Sequence, residues 1–216
     1  MQSYEKLSRM LLLKDLGVIP IDNNILESVF KDHKHINSKL VSLEKKGDLI
    51  RLKRGLYVVS PKLSNRVLST ELIANHLYGP SYISMESALR FYGLIPDEVF
   101  MVRSMTTKRS RHFANDIAHF QFIQCNADYY AIGIDQFYHN GYSFLIASPE
   151  KALCDMILYT QKLRPRFIKD LQVWLEEDLR LEMDAFFQMN TDIFKDCAKY
   201  GKKKNELLNL IKIRNK

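Results

Sequence analysis

Lys39, Lys45, Lys46, Arg51, Lys53 and Arg54 fall close together in the chain, with Asn37, Ser38 and Ser42 among them. Lysine and arginine donors suit phosphate oxygens. Short hydroxyl and amide side chains let a backbone come near a polar surface and reach base edges. The chemistry on offer is therefore the binding of a polyanion. The formal charge of +7 is divided unevenly: residues 1–66 hold 13 Lys and Arg against 7 Asp and Glu, residues 67–198 hold 12 against 17, and residues 199–216 hold 7 against 1. Two basic ends flank an acidic middle. This places a polyanion on the first block and argues against its lying along the whole molecule.

The elements that must position these cations follow from spacing. Tyr4, Leu7, Met10, Leu11, Leu12 and Leu13 predict a helix that runs to Leu16, with Gly17 as a left-handed stop. Pro20 prevents its continuation, and Asp22 or Asn23 caps a second helix carrying Ile25, Leu26, Val29 and Phe30 and ending near Lys31. Asp32 to His35 is a polar turn. Ile36, Leu40 and Leu43 then recur at i, i+4 and i+7 in a third helix that reaches Gly47. Its apolar stripe leaves Ser38, Ser42 and Lys45 facing outward, Lys39 and Lys46 on the flank and Asn37 near the start. A merely solvated face has the same composition, so the helix alone does not decide.

The next segment lifts the DNA reading, with a winged helix that binds proteins as the alternative. Leu49 to Leu52 and Leu56 to Val59 are strand-like runs joined by a tight Lys53-Arg54-Gly55 turn, a basic hairpin directly after the helix. Three helices followed by such a hairpin give the order of a winged helix-turn-helix. Arg51, Lys53 and Arg54 on the wing would reach phosphates or the minor groove of double-stranded DNA. The expected class is α+β: a winged helix-turn-helix over residues 1–64, then a mixed α+β domain over residues 65–216 with a small antiparallel sheet and a helical carboxy-terminal region.

In the second part, Asn65 to Tyr78 has helical spacing and Gly79-Pro80 breaks it. Tyr82 to Ser84 is a short strand, with Ser84 as a possible cap for a helix that ends near Gly93. Val99 to Val102, His119 to Ile123, Tyr129 to Ile134 and Tyr142 to Ile146 predict three or four antiparallel strands. Between the first two lies Lys108-Arg109-Ser110-Arg111-His112, either a second phosphate contact or a solvated loop. Ser148-Pro149-Glu150 is a strong helix start. On that helix Lys151 and Asp155 form an i, i+4 pair suited to helix support, while Glu150 with Asp155 would also serve acid-base or metal chemistry. The tail from Phe167 reads as three or four short helices, the last one basic, with Lys202, Lys203 and Lys204 at its start.

RLKRGLYVV (Arg51 to Val59), YISMESALRFYGL (Tyr82 to Leu94) and SPEKALCDMI (Ser148 to Ile157) occur in the order and approximate spacing of the AbiEi antitoxins of type IV toxin-antitoxin systems. The chain resembles that family over about residues 5 to 160. The resemblance implies an antitoxin linked to abortive infection, whose winged helix represses its own operon. Its second domain would counteract a nucleotidyltransferase-like toxin without a stable complex. Members of the wider family also stand alone as regulators, so the alternative for this chain is a winged-helix regulator without a toxin, its second domain sensing a ligand or a protein.

Other classes find little support. No apolar run approaches the roughly 20 residues of a bilayer span, and the amino terminus lacks the design of a secretion signal, so a cytoplasmic protein without membrane contact is expected. Cys125, Cys154 and Cys197 make neither a disulfide framework nor a CxxC motif. The histidines, His33, His35, His76, His112, His119 and His139, fall into no metal-ligand spacing with them. His33-x-His35 is the nearest approach and also fits a solvated turn. Without a nucleophile elbow or phosphate loop, no enzymatic activity, catalytic residue, metal or cofactor is expected.

Overall fold

In the computed structural model, which describes residues 10–31, 35–96, 100–160 and 167–215, residues 10–16 are helical (α1) and Gly17 turns the chain at φ 61°. The expected start of this helix, from Tyr4, and the turn residues Asp32, His33 and Lys34 lie outside the described residues. Strand β1 (Ile21–Asp22) leads into α2 (Asn23–Val29), and of the two candidate caps Asp22 does the work: its Oδ1 accepts the Ile25 N–H at 3.0 Å. Helix α3 (Ile36–Lys45) buries Leu40 and Leu43, and Gly47 at φ 71° redirects the chain into β2 (Leu49–Lys53). A turn at Arg54-Gly55 returns it as β3 (Leu56–Val59). Lys53, expected in that turn, is the last residue of β2 and pairs with Leu56. The three strands form one antiparallel sheet in the order β1-β3-β2.

Every residue of β3 is buried, because its two faces serve different cores. Tyr57 and Val59 join Leu49, Leu13, Ile21, Leu26, Phe30, Leu40 and Leu43 in a small apolar cluster. Leu56 and Val58, pointing the other way, join Leu52 in the larger cluster that runs through the rest of the chain.

The larger unit starts with α4 (Pro61–Ser64) and α5 (Thr70–Leu77). The single helix expected from Asn65 does not form. Asn65 ends α4 in the left-handed region at φ 57°, and helix resumes only after Ser69, whose Oγ accepts the Leu72 N–H at 3.1 Å. Then follow β4 (Ser81–Ile83), α6 (Met85–Phe91), β5 (Met101–Thr106), β6 (Arg111–Ala114), β7 (His119–Gln124), α7 (Ala127–Tyr130), β8 (Ile134–His139), β9 (Tyr142–Ala147) and α8 (Pro149–Tyr159). The strands make one six-stranded sheet in the order β6-β7-β5-β4-β9-β8.

This sheet is mixed, which corrects the expected small antiparallel one: β5 runs parallel to β7, and β4 parallel to β9. Alternation reports which face of a strand is buried and carries no information about the direction of its neighbour. Two further strand expectations shift. Tyr129 and Tyr130 end the short helix α7, with strand beginning at Ile134, and the basic run expected as a loop contributes Arg111 and His112 to the edge strand β6.

The tail is helical as expected: α9 (Ile168–Val173) continues into a π-helical turn (Trp174–Asp178), followed by α10 (Met183–Phe187), α11 (Thr191–Tyr200) and α12 (Lys204–Arg214). Helices α6, α11 and α12 pack on α8, which is buried without interruption from Glu150 to Ile157. Among the described residues no helix is long and apolar enough to cross a membrane.

Candidate nucleic-acid interface

Away from the buried Leu40 and Leu43, Asn37, Ser38 and Lys45 of helix α3 and Lys46 just after it are exposed, with Lys39 and Ser42 half-buried. The Lys39 Nζ lies over the Phe30 ring, 5.6 Å from its centroid, which holds that lysine on the flank. Arg51 ties the hairpin to the helix: a guanidinium nitrogen donates to Glu44 Oε1 at 2.8 Å, and its carbon lies 5.6 Å from the centre of the Tyr57 ring. Lys45, Lys46 and Arg54, by contrast, make no ion pair among the described residues. The nine sequence-predicted residues thus all fall between Asn37 and Arg54 but differ in what they touch.

Lys53 departs furthest from the sequence reading. Its Nζ donates to the Leu77 carbonyl at 2.6 Å, at the end of α5, and lies 6.0 Å from the Phe113 ring centre on β6. Burial lowers its pKa, with Arg111 and Lys108 adding like-charge repulsion. The hairpin and the basic run of the larger unit therefore meet. The Arg111 guanidinium lies 5.4 Å from the Phe113 ring centre and 5.8 Å from that of Tyr78, and Lys108 lies 5.5 Å from Tyr78. Lys108 Nζ donates to the Gly79 carbonyl, and Tyr78 Oη donates to the Arg109 carbonyl at 3.2 Å. Nothing in sequence spacing could bring Leu77, Tyr78 and Gly79 beside Lys53; the local signal was only a basic run with Phe113 beyond it.

A second polar group lies inside the molecule. Asp155 Oδ2 accepts from Ser84 Oγ at 2.6 Å and Tyr82 Oη at 3.0 Å, and Oδ1 accepts from Tyr129 Oη at 2.7 Å. Lys151 Nζ donates to the Tyr129 carbonyl at 2.7 Å, lies 3.0 Å from that ring's centre and 3.6 Å from Asp155 Oδ1. Both charged side chains are wholly buried. Desolvation pushes the Asp155 pKa up, opposed by Lys151 and the three hydroxyls. With its acceptors occupied and its side chain wholly buried, the carboxylate fastens β4, α7 and α8 together. Glu150, the other carboxylate on this helix, is directed elsewhere and accepts the Asn190 N–H at 2.8 Å. Ser84 stands at the N-cap position of α6 but makes no capping bond, because its hydroxyl is given to Asp155.

Buried free thiols complete this interior. Burial pushes the Cys125 thiol up to about 12, and Cys154 and Cys197 are also enclosed. Among the described residues no group of three His, Cys, Asp or Glu side chains is arranged to hold a metal ion; His33 lies outside them. A cleft of about 800 Å³ separates the segment Asn65 to Ser69 from the β8–β9 hairpin, lined by Arg66, Glu71, Phe91, Phe137, His139 and Tyr142. No protein-family profile matches the chain, and no curated protein matches it.

Proposed function

We propose that the amino-terminal unit is a winged helix-turn-helix that binds double-stranded operator DNA, with α3 in the major groove and the β2–β3 hairpin as its wing. The division falls near residue 64, and the chain acts as a transcriptional autorepressor in the cytoplasm. The observation that carries this reading is the solvent side of α3 and its C-cap, where Asn37, Ser38, Lys45 and Lys46 are exposed while Leu40 and Leu43 anchor the helix in the core. Unpaired exposed lysines next to short polar groups suit phosphate contact and close approach to base edges. The order of three helices and a basic hairpin supports the same assignment.

The resemblance of Arg51 to Val59, Tyr82 to Leu94 and Ser148 to Ile157 to the AbiEi antitoxins extends the proposal. In it, residues 65–216 counteract a nucleotidyltransferase-like toxin without forming a stable complex, and the chain itself carries out no catalysis. Coexpression of the full chain with a neighbouring nucleotidyltransferase-like gene is expected to restore growth. Continued growth arrest would leave a stand-alone regulator. One observation favours that second reading: the open cleft beside His139 and Tyr142 has the size of a small-molecule site.

The DNA face is tested with Lys45→Ala/Arg54→Ala in the full chain, titrated against duplex DNA from its own upstream region over a salt series. Each phosphate contact adds about 0.9 to the slope of log K against log salt, so the pair should lower it by about 2. The melting temperature should not change, since both side chains stand in solvent. An unchanged slope would remove α3 and the wing from the interface.

A further inference from the structure

We propose that the larger unit carries its own phosphate-contacting site, formed by Lys108, Arg109 and Arg111 where they meet Lys53 of the hairpin, so that the duplex is held across both units. This rests on the DNA-binding reading above and extends it to a surface outside the amino-terminal unit.

Like charges crowd this surface. Lys53, Lys108 and Arg111 gather around the two rings Tyr78 and Phe113, whose centres are 5.9 Å apart. Among the described residues none of the three has a carboxylate within ion-pair distance. Like charges brought together without a counter-charge raise the free energy of the empty surface, and an anion bound there relieves it. Burial lowers the Lys53 pKa, and the neighbouring Arg111 and Lys108 lower it further.

The cluster is also held in place. Carbonyls of Leu77 and Gly79 fix the two ammonium groups, and the Tyr78 hydroxyl fixes the backbone at Arg109. Ser110 Oγ accepts the Gln124 N–H at 2.9 Å and anchors the loop from its other side. An edge strand commonly carries charge to discourage pairing with other chains, but that purpose needs no convergence of cations from a second sheet. Here β2 and β6 deliver theirs to one place.

The ligand chemistry follows from what is open. Arg109, Arg111 and Lys108 are exposed, whereas Tyr78 and Phe113 are half-buried and packed edge-on against Phe122, at 5.3 and 5.8 Å. Rings so covered offer no platform for unstacked bases, which disfavours a single-strand site. Exposed guanidinium and ammonium groups beside a proposed wing fit the sugar-phosphate backbone of a duplex and set position more than sequence. Lys53, held by the Leu77 carbonyl, acts as the structural link.

The test uses the full chain with Arg109→Gln/Arg111→Gln, and Arg109→Gln alone as the milder variant that leaves the Arg111 packing on Phe113 intact. Binding to a duplex of about 30 base pairs, roughly three turns of B-DNA, is followed by anisotropy over a salt series. The double variant should lower the log–log slope by about 2 and the single variant by about 1. Hydroxyl-radical footprinting should show a protected backbone segment, beyond the one attributable to the wing, that vanishes in the double variant. If wild type binds, Lys45→Ala/Arg54→Ala weakens it and both loop variants keep the wild-type slope and footprint, the second site is overturned while the DNA-binding reading stands. If wild type does not bind duplex DNA, both fail. A loop variant that loses binding of an acidic peptide, with duplex binding unchanged, also overturns the proposal and assigns the cations to a protein partner.

Discussion

The two regions of the molecule place charge in opposite ways. Around the small core, which is apolar apart from the Tyr57 hydroxyl, the cations stand outside on α3 and the hairpin. In the larger unit, a lysine and an aspartate lie at the centre, on a helix buried from Glu150 to Ile157. Charge at the surface costs little to keep and is available to a partner. Charge in the interior is stable only when its hydrogen bonds are complete, and it then serves to join elements. The difference teaches that a Lys-x-x-x-Asp spacing on a helix has no fixed meaning until its burial is known.

The largest test of this contrast is Asp155→Ala. It strips a carboxylate from three hydroxyl donors and leaves Lys151 buried without a counter-charge, so unfolding in urea should show a loss of about 3–5 kcal/mol. Asp155→Asn, which keeps acceptor capacity, should lose less. A variant with wild-type stability would mean that β4, α7 and α8 do not depend on this junction. A smaller loss is expected in the amino-terminal unit from Asp22→Ala, which removes the cap of α2 and should cost about 1 kcal/mol by the same measurement. An equal loss in the two variants would erase the contrast between a buried junction and a surface cap.

Much of the local structure was legible. Apolar spacing located α2, α3 and the hairpin strands, and Ser148-Pro149-Glu150 marked the start of α8, where Ser148 Oγ accepts the Lys151 N–H at 3.3 Å. Such features are decided within a few residues by capping and periodicity. What depends on distant chain was hidden. The parallel pairing of β5 with β7 and the complete burial of the Lys151–Asp155 pair, whose i, i+4 spacing reads only as helix support, are examples. So is the edge strand β6, whose Arg111, His112 and Ala114 are exposed and lack the apolar alternation that announces a strand. For the candidate interface, residue types pointed to α3 and the hairpin, but not to the engagement of Arg51 with Glu44 or of Lys53 with Leu77.

The hairpin's double burial has a further consequence. With Tyr57 and Val59 turned into one core and Leu56 and Val58 into the other, and with Asn115 Nδ2 donating to the Leu52 carbonyl at 3.2 Å, strands β2 and β3 belong to both units at once. The joint is a shared wall, not a swivel. Cutting the chain after the hairpin would open an apolar wound on each fragment, and the two halves could not be exchanged independently with those of another protein. A force or ligand that shifts one sheet must tilt the hairpin, and with it the surface offered to any polyanion.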